Sequence, residues 1–480
     1  MIEAGPAGAP LWTGEALVQA MGGRPVGALP AAVSGISIDT RTLQPGDVFF
    51  AITGDRTDGH RFVTAAAAAG ASLLVVAEGK LAAMGRVTVP MIVVPDVLKA
   101  LAAAGVAARA RTKAKVVAVT GSAGKTTTKE ALRRALGASG TVHAADKSFN
   151  NHWGVPLTLA RLPEDADFAV FEIGMNHANE IRPLTGLVRP HVAIVTLIAA
   201  AHLGHFSSLD EIADAKAEIF EGLDRGGAAL VNRDDVRWER LAQAVRAAGV
   251  ERVLGFGEHE AADYRLVSCA LEADHSTARV DVAGEELTLR IGAPGRHIVQ
   301  NALAVLGAAH LVGADVTRAA EALASFGAEK GRGARHVLRH SGAPVTLIDE
   351  SYNANPASVR AALALLAATP VGQGGRRIAV LGDMLELGSH SAALHGELAE
   401  PVAVADLALL VGPEMRALAD ALPGGFPVKH RMTVDEMEPV LLETVGPGDA
   451  VMVKSSNGIG SSRLVESLVR RFGTSATQEA

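Results

Sequence analysis

The sequence contains one cysteine, Cys269, among its 480 residues. A single thiol excludes an intrachain disulfide and a thiolate zinc cage, and it favours a reducing compartment. Aromatic residues are also few, with 12 Phe, 3 Trp and 2 Tyr, so we expect no stacking platform for nucleic-acid bases. The net charge of −7 gives no basic excess for binding nucleic acid or anionic membranes. The cores must therefore be built mainly from Ala, Val, Leu and Ile.

Long apolar runs are missing as well. A membrane span needs roughly 18 uncharged residues, and even the Ala-rich stretch 101–108 lies between Lys99 and Arg109. The first ten residues, MIEAGPAGAP, lack the basic and long apolar regions of a secretion signal. Apolar residues make up 49% of the chain and charged ones 20%, which is typical of folded proteins. We expect a cytoplasmic protein without membrane insertion, and its length predicts roughly three domains of about 150 residues each.

The alternation of short apolar runs with helical patterns predicts an α/β protein of three domains. A small mixed α/β domain is expected over residues 1–110. A central domain with a parallel sheet and a phosphate-binding loop is expected over 111–328, and a Rossmann-like, doubly wound domain over 329–480. The glycine-rich segment 327–333 is read as the hinge between the last two. The candidate strands that carry these predictions are 36–38, 48–52, 73–76 and 91–94, then 116–119, 168–173 and 192–198, then 345–348, 378–381, 407–411 and 450–453, with candidate helices at 61–69 and 298–312.

The strongest local signal is the run TGSAGKTTT at 120–128, which directly follows the strand at 116–119. Glycines let a loop turn its N–H groups onto a phosphate, and the helix that follows adds its positive end. Lys125 then supplies a charge for the β- and γ-phosphates, and the Thr126 hydroxyl suits Mg²⁺. Two residues separate the glycines, where the usual loop has four. The run predicts a nucleotide site rather than an incidental turn, and the absence of an Asn-Lys-x-Asp motif disfavours a GTPase.

Two polar residues follow neighbouring candidate strands. Glu172 lies at the end of the strand at 168–173, and His202 comes four residues after the strand at 192–198. Ligands gather at the carboxyl ends of the strands in open α/β sheets, so both side chains are candidate ligands for a Mg²⁺ near the γ-phosphate. The alternatives are a solvated strand end for Glu172 and a structural, hydrogen-bonded histidine for His202.

The sequence pattern places Lys216 on the buried, apolar face of its predicted helix. The apolar stripe of the segment 210–220 includes Ile212 and Phe220, each four residues from Lys216. An unpaired buried charge is costly, so this lysine needs a partner or a chemical change. The alternative is that its ammonium reaches the edge of the helix.

Three further positions suit nucleotide recognition. Asn301 lies in the helix at 298–312, where an amide reads an adenine edge or satisfies the core. Arg332 and Arg335 flank the hinge and are candidates for pairing with phosphate, or are solvated charges. Asp349 follows the first strand of the third domain, where it is suited to hold a ribose.

Together these residues resemble the Mur ligases, the ATP-dependent amide-bond enzymes of bacterial cell-wall synthesis. The resemblance covers nearly the whole chain. It is carried by Asp39-Thr40-Arg41, PGDVFFA at 45–51, Asp58-Gly59-His60, the phosphate loop, FNNH at 149–152, EIGMNH at 172–177, Ala201-His202-Leu203, AKAEI at 215–219, Asn301-Ala302, SYNANP at 351–356 and GDMLELG at 382–388.

The resemblance implies a division of labour among the domains. The first domain would hold the UDP end of a UDP-N-acetylmuramoyl-tripeptide, and the third would close over ATP and present D-alanyl-D-alanine. Lys216 would be carbamylated, Lys125 and His202 would be catalytic, and Mg²⁺ would lie on Thr126, Glu172 and His202. No nucleic acid is implied, and we expect a monomer. The resemblance also implies contacts with the substrate at Asp39, Thr40, Arg41, Asn150 and Asn151, and contacts with ATP at Gly121, Ser122, Ala123, Gly124, Lys125, Thr126, Thr127, Asn301, Arg335 and Asp349.

The segment before His202 departs from the family pattern. It reads Leu197-Ile198-Ala199-Ala200-Ala201, where the family shows Asn-Ile-Gly, so its polar support must come from elsewhere. A related amide ligase such as folylpolyglutamate synthase is the second enzyme reading. A nucleotide-binding module without catalysis is the reading from another class.

Overall fold

The computed structural model describes residues 10–54, 57–85 and 87–473. Residues 1–9, on which the expectation about a secretion signal rests, lie outside these ranges. Within the described residues the strands form three sheets that follow one another along the chain, and the three-domain α/β architecture predicted from the sequence is confirmed. In the same part of the chain, no helix is long and apolar enough to cross a membrane.

The amino-terminal domain is built on a five-stranded sheet. Its helix at residues 97–111 begins at Asp96, whose carboxylate accepts hydrogen bonds from two N–H groups of the first turn. The strands are β1 (Arg24–Val26), β2 (Ile36–Ser37), β3 (Val48–Phe50), β4 (Leu73–Ala77) and β5 (Met91–Val94), and the helices are α1 (Gly14–Met21), α2 (Val63–Ala68) and α3 (Val97–Arg111). The order is β1-β5-β4-β3-β2, parallel except for β1.

The central domain contains a nine-stranded sheet. Its strands are β6 (Lys115–Thr120), β7 (Val142–Ala144), β8 (Phe168–Glu172), β9 (Val192–Val195), β10 (Ala228–Asn232), β11 (Arg252–Gly257), β12 (Tyr264–Leu271), β13 (Ser276–Val282) and β14 (Glu285–Ile291). Its helices are α4 (Lys125–Gly137), α5 (Gly154–Ala160), α6 (Ile181–Val188), α7 (Leu209–Ala217), α8 (Trp238–Ala247), α9 (Arg296–Leu311) and α10 (Val316–Leu323). The order is β14-β13-β12-β11-β10-β9-β6-β8-β7. β6 to β12 pair in parallel as expected, whereas β13 and β14 add an antiparallel extension that the sequence reading missed.

The carboxyl-terminal domain is a six-stranded sheet with helices on both faces. Its strands are β15 (Ala334–His340), β16 (Ala343–Glu350), β17 (Arg377–Gly382), β18 (Leu407–Val411), β19 (Val428–Arg431) and β20 (Ala450–Lys454). Its helices are α11 (Pro356–Ala368), α12 (Ser391–Gly396), α13 (Ala399–Val402), α14 (Met415–Ala421), α15 (Val434–Thr444) and α16 (Ser462–Phe472). The order is β15-β16-β20-β17-β18-β19, and only the edge strand β15 is antiparallel.

Buried strands place successive side chains in different cores, because side chains alternate between the faces of a sheet. In β6, Val116 and Ala118 belong to one apolar cluster, whereas Val117 and Val119 belong to another. The first of these clusters continues through α3 into the amino-terminal sheet, so the two domains share a core. α3 also runs across the domain boundary expected at residue 110; that boundary and the one at 328 stay predictions.

We predict that Leu303→Ala in α9 destabilises the central domain. Leu303 is fully buried in the cluster on one face of the central sheet, and truncation of such a side chain leaves a cavity and costs about 2–5 kcal/mol in the free energy of unfolding. Urea denaturation followed by circular dichroism measures the loss. Val236, which is 88% exposed, provides the control, because Val236→Ala should change stability by less than about 0.5 kcal/mol. Equal stability of the two variants would contradict the assigned core.

Candidate active site

A cavity of about 310 Å³ lies between the central and carboxyl-terminal domains. One wall is formed by the phosphate loop and by residues that follow β8 and β9. The opposite wall comes from the hinge, from the residues after β16 and from the end of β20. The candidates that line it are Ser122, Ala123, Gly124, Lys125, Thr126, Thr127, Asn150, Glu172, His202, Asn301 and Arg332. The carboxyl ends of parallel strands thus bring together residues far apart in the sequence, as the sheet topology predicts.

The phosphate loop needs its two glycines for different reasons. Gly121 packs against β9's continuation so closely that a Cβ there would lie 1.9 Å from Thr196 Oγ1. Gly124 has a left-handed φ of +84° at the start of α4, and a Cβ there would lie 3.0 Å from the amide of Asn301. Thr126 and Thr127 lie in the first turn of α4 and line the cavity. The N–H groups of a helix's first turn have no partner within the helix.

The unusual segment before His202 supports this loop. Ser122 donates its N–H to Leu197 O and its hydroxyl to Ala199 O, at 2.7 and 2.9 Å. The segment is itself held by Asp235, which accepts from the Ile198 N–H at 3.0 Å, and by Asn232, which donates to Thr196 O at 3.1 Å. Asn232 at the end of β10 and Asp235 just after it therefore give this segment its polar support. The Asn and Gly of the family pattern are absent here.

Lys125 folds back over the loop. Its Nζ donates to Gly121 O at 2.7 Å, so the ammonium is held against the loop. Burial lowers the pKa of the Lys125 ammonium, the nearby Glu172 carboxylate opposes that shift, and Arg332 adds to it. The ammonium lacks a close carboxylate among the described residues, which leaves its charge available to an anionic ligand.

Thr126 and Glu172 form a connected oxygen cluster. The Thr126 hydroxyl donates to Glu172 Oε2 at 2.8 Å and lies 3.1 Å from Ser148 Oγ. Asn150 Nδ2 donates to Glu172 Oε1 at 2.7 Å, so both carboxylate oxygens are fixed. Glu172 is 3% exposed. A hydroxyl and a carboxylate next to a phosphate loop are the ligands that Mg²⁺ takes when it arrives with a nucleotide.

Not every expected substrate residue reaches the cavity. Asn151 accepts the Gly154 N–H at 3.0 Å and caps the start of α5. Asp39 and Arg41 form an exposed ion pair of 2.6 Å in the turn after β2, away from the cavity lining, and the Arg41 hydrogen bond lowers the pKa of Asp39. Thr40 lies between them in the same turn. These three residues belong to a second, amino-terminal surface.

Lys216 is buried, as the helical pattern predicted. It is 1% exposed on α7, and among the described residues its ammonium has neither a carboxylate nor a hydrogen-bond acceptor. Burial lowers the pKa of Lys216 well below its usual range, and the charge of Lys125 lowers it further. The reading in which the ammonium reaches the helix edge is therefore wrong.

His202 lines the cavity, and its ring makes a contact across the domains. Its Nδ1 lies 2.5 Å from Oε2 of Glu386, which belongs to the loop after β17. This hydrogen bond lowers the pKa of Glu386, whereas burial raises it. Glu386 lies in the motif GDMLELG, which carries part of the family resemblance. The sequence predicts no role for it, because nothing in the sequence shows which loop faces His202.

The two nucleotide candidates of the third domain lie behind the cavity wall. Asp349 is buried and accepts the N–H groups of Gly331 and Ser351, at 2.8 and 3.1 Å. Arg335 donates to the Thr369 hydroxyl at 3.0 Å, and burial lowers its pKa. Neither side chain lines the cavity, because their hydrogen bonds turn them into the domain. Their contact with ATP stays a prediction. Arg332, stacked over the Tyr352 ring at 4.0 Å, is the hinge arginine that lines the cavity.

Several cavity residues were missed in the sequence. Lys454 at the end of β20 is buried and pairs with Glu350 at 3.0 Å, and His297 lies nearby on α9. Asn355 donates to Ser122 O at 3.3 Å and so joins the third domain to the phosphate loop. The position of Lys454 at a strand's carboxyl end was the available signal, because such ends carry ligands in doubly wound sheets.

The chain matches known proteins over nearly its whole length. It is 35% identical to the UDP-N-acetylmuramoyl-tripeptide--D-alanyl-D-alanine ligase of Escherichia coli (strain K12), over 80% of this chain and 83% of that protein. The ligase of the same name from Rickettsia prowazekii is 30% identical, over 90% and 94% of the two chains. Among solved structures, MurF from Acinetobacter baumannii superposes with a TM-score of 0.83 at 29% identity, covering 96% of this chain and 99% of that one.

A further solved structure carries a nucleotide. The MurF ligase of Thermotoga maritima in complex with ADP has a TM-score of 0.74 at 26% identity, and the match covers 91% of this chain and 97% of that one. Residues 119–309 match the Mur ligase middle domain, residues 334–457 the Mur ligase glutamate ligase domain, and residues 32–135 the Mur ligase family catalytic domain. The chain belongs to the Mur ligase family.

Proposed function

We propose that this protein joins D-alanyl-D-alanine to a UDP-N-acetylmuramoyl-tripeptide and converts ATP into ADP and phosphate. The activity named for its relatives in Escherichia coli and Rickettsia prowazekii supports this choice of substrates. The observation that carries the proposal is that Lys125, Thr126 and Glu172 share one wall of a cavity whose other wall belongs to the carboxyl-terminal domain. An amide ligase needs such a cavity, because a nucleotide, a carboxylate and an amine must meet there.

The reaction has two steps, because a carboxylate and an amine do not condense in water. An oxygen of the tripeptide carboxylate forms a bond to the γ-phosphorus as the bond between that phosphorus and the ADP oxygen breaks. The neutral amine of the dipeptide then attacks the acyl carbon, inorganic phosphate leaves, and the nitrogen loses a proton. Closure of the two domains around the cavity would exclude water that hydrolyses the acyl phosphate.

The phosphate loop supplies the charge and the donors for phosphoryl transfer. We assign phosphate contacts to the loop from Gly121 to Thr127 and place the Lys125 ammonium on the transferring group. Arg332 approaches from the hinge and adds a second positive charge. Asn301, which touches Gly124 in the loop, is assigned to the adenine side. Asp349 acts indirectly, since it holds Gly331 beside Arg332.

The oxygen cluster fits magnesium that is brought by ATP. No group of three or more His, Cys, Asp or Glu side chains in the described ranges is arranged to hold a metal alone, and Mg²⁺ in nucleotide sites takes few protein ligands. We assign Thr126 and Glu172 to one ion and Glu172 with His202 to another. Bound Mg²⁺ would neutralise charge that develops on the phosphoryl oxygens.

We assign a carbamate to Lys216. Burial and the charge of Lys125 lower the pKa of Lys216, which favours the neutral amine. Its nitrogen lone pair forms a bond to the carbon of CO₂ while one proton is released. The product is an anion where an unpaired ammonium would stand, close enough to Lys125 for their charges to interact. The carbamate would face the Lys125 charge and support the metal cluster.

The remaining assignments concern the substrate's far end and the protein's state. The domain over residues 1–110 is assigned to the UDP end, with Asp39, Thr40 and Arg41 at its surface. Residues 111–328 bind ATP, with Asn150 on the substrate side, and residues 329–480 present the dipeptide. We assign the protein to the cytoplasm, which its single cysteine supports, and we assign it as a monomer.

The substrate assignment predicts a specific pattern of phosphate release. We expect release from ATP only when a UDP-N-acetylmuramoyl-tripeptide and D-alanyl-D-alanine are both present, with the lysine and diaminopimelate forms of the tripeptide tested separately. Tetrahydrofolate with glutamate provides the comparison, because folylpolyglutamate synthase from L. casei shares the fold at 17% identity and a TM-score of 0.54. Release with the folate pair alone would reverse the assignment, and binding of ATP without release for any acceptor would indicate a binding module.

Lys125→Ala should lower kcat by at least about 10²–10³-fold, because it removes a preorganised charge from the transferring phosphoryl group. The protein should still fold, since the side chain's hydrogen bond is confined to the loop. Lys115→Ala provides the matched control: Lys115 is exposed at the opposite end of β6 and should keep full activity. Near-normal turnover of Lys125→Ala in the phosphate-release assay would exclude the proposed role.

Lys216→Ala should lose most activity and regain part of it with added short carboxylic acids, which replace the missing anion. Lys99 is an exposed lysine on α3 and provides the control. Lys99→Ala should keep full activity, and added acids should not alter it. Labelling with ¹³C-bicarbonate should give a carbamate resonance in the wild type that is absent from Lys216→Ala. A fully active alanine variant without additives, or a resonance retained in it, would remove the carbamate.

A further inference from the structure

The central and carboxyl-terminal domains meet at a compact contact outside the phosphate loop. The Gly204 N–H of the central domain donates to the backbone carbonyl of Glu386 at 2.8 Å. The Glu386 side chain turns back to Nδ1 of His202 at 2.5 Å. A Cβ on Gly388 would lie 2.8 Å from Gly204 Cα, so two glycines let the backbones approach. One residue of the third domain thus contacts the second domain through both its backbone and its carboxylate.

The chemistry of this contact selects one tautomer of the histidine. An ionised carboxylate only accepts hydrogen bonds, so His202 Nδ1 must carry the proton. In a neutral imidazole the lone pair is then on Nε2. A histidine that donates one ring N–H to a carboxylate and keeps the other nitrogen free is the arrangement that orients metal-bound imidazoles.

The backbone at both ends of the contact is held in an unusual conformation. His202 has φ +62° and Glu386 has φ +64°, a left-handed region that non-glycine residues rarely adopt. Such conformations persist where surrounding structure enforces them, often at functional sites. The Glu386 loop is enforced by His395 Nε2, which accepts the Met384 N–H at 3.0 Å, and by Ser456 Oγ, which accepts the Leu385 N–H at 2.9 Å.

We infer that Glu386 is a positioning residue that reaches across the domains to set the tautomer and orientation of His202, so that the histidine becomes a metal ligand only when the domains close. This inference rests on the metal role proposed for His202. The inference implies an order of binding. Nucleotide and metal bind at the phosphate loop first, and His202 becomes a metal ligand when the domains close. Glu386 itself contacts His202 and does not line the cavity.

The test counts bound Mn²⁺ by electron paramagnetic resonance in the presence of a non-hydrolysable β,γ-methylene analogue of ATP. Glu386→Ala should weaken the more weakly bound ion by about 10- to 100-fold, the usual effect of removing such a partner. Glu386→Gln retains an oxygen acceptor and should lie between Ala and wild type. Glu400→Gln, on the exposed surface of α13, should bind as wild type does.

His202→Ala separates this inference from the proposed function. If His202→Ala weakens the second ion and Glu386→Ala does not, the metal role of His202 stands and Glu386 does not position it. If neither variant changes Mn²⁺ binding, the metal role itself is wrong and the inference falls with it. Small-angle scattering with the analogue and no metal adds a second readout, in which Glu386→Ala should have a larger radius of gyration than Glu400→Gln. Equal radii would show that the contact does not hold the domains together.

Discussion

The site depends on the close fit between the phosphate loop and the continuation of β9. Gly121 leaves room for Thr196, whose hydroxyl donates to Ala123 O at 2.6 Å, and Ser122 bonds to the backbone at 197 and 199. These bonds give the loop its shape before any nucleotide arrives, so little conformational entropy remains to be lost on binding. They also explain how the loop functions with two residues between its glycines, since the neighbouring strand end braces it.

A second constraint is the balance of charge behind the loop. Lys125 and Lys216 are both buried, the charge of Lys125 lowers the pKa of Lys216, and of the two only Lys125 has a hydrogen-bond partner within the described chain. Like charges in a medium of low dielectric raise each other's free energy. The anionic groups that offset them are Glu172, fixed by Thr126 and Asn150, and, in our proposal, the modified Lys216. In that proposal the second anion forms on a lysine of α7, so no further Asp or Glu side chain is needed beside Glu172.

Much of this architecture is predictable from local pattern. Local pattern predicts the buried strand before the phosphate loop, the burial of Lys216 and the position of Glu172 and His202 beside the loop. The structure shows all three. Other features depend on distant contacts. The pairing of Glu386 with His202 joins positions 184 residues apart. The hairpin of β13 and β14, by contrast, carries a local signal, since buried residues alternate along β13 and two residues connect the strands. Arg335 and Asp349 fit the ends of their elements in sequence, but only packing shows that they hydrogen-bond inward while Arg332 faces the cavity.

The continuous core between the first two domains has a mechanical consequence. One apolar cluster runs from the amino-terminal sheet through α3 to the central sheet. The carboxyl-terminal domain has two clusters of its own and meets the others mainly through polar contacts and a glycine-rich hinge, with Leu394 packed against the first cluster. Sliding the first two domains apart would expose hydrocarbon to water, but swinging the third away breaks mainly hydrogen bonds that water can replace. The first two domains therefore form one rigid unit, beside which the third domain can swing. If the uridine end binds the first domain, as we propose, this unit fixes its distance from the phosphate loop.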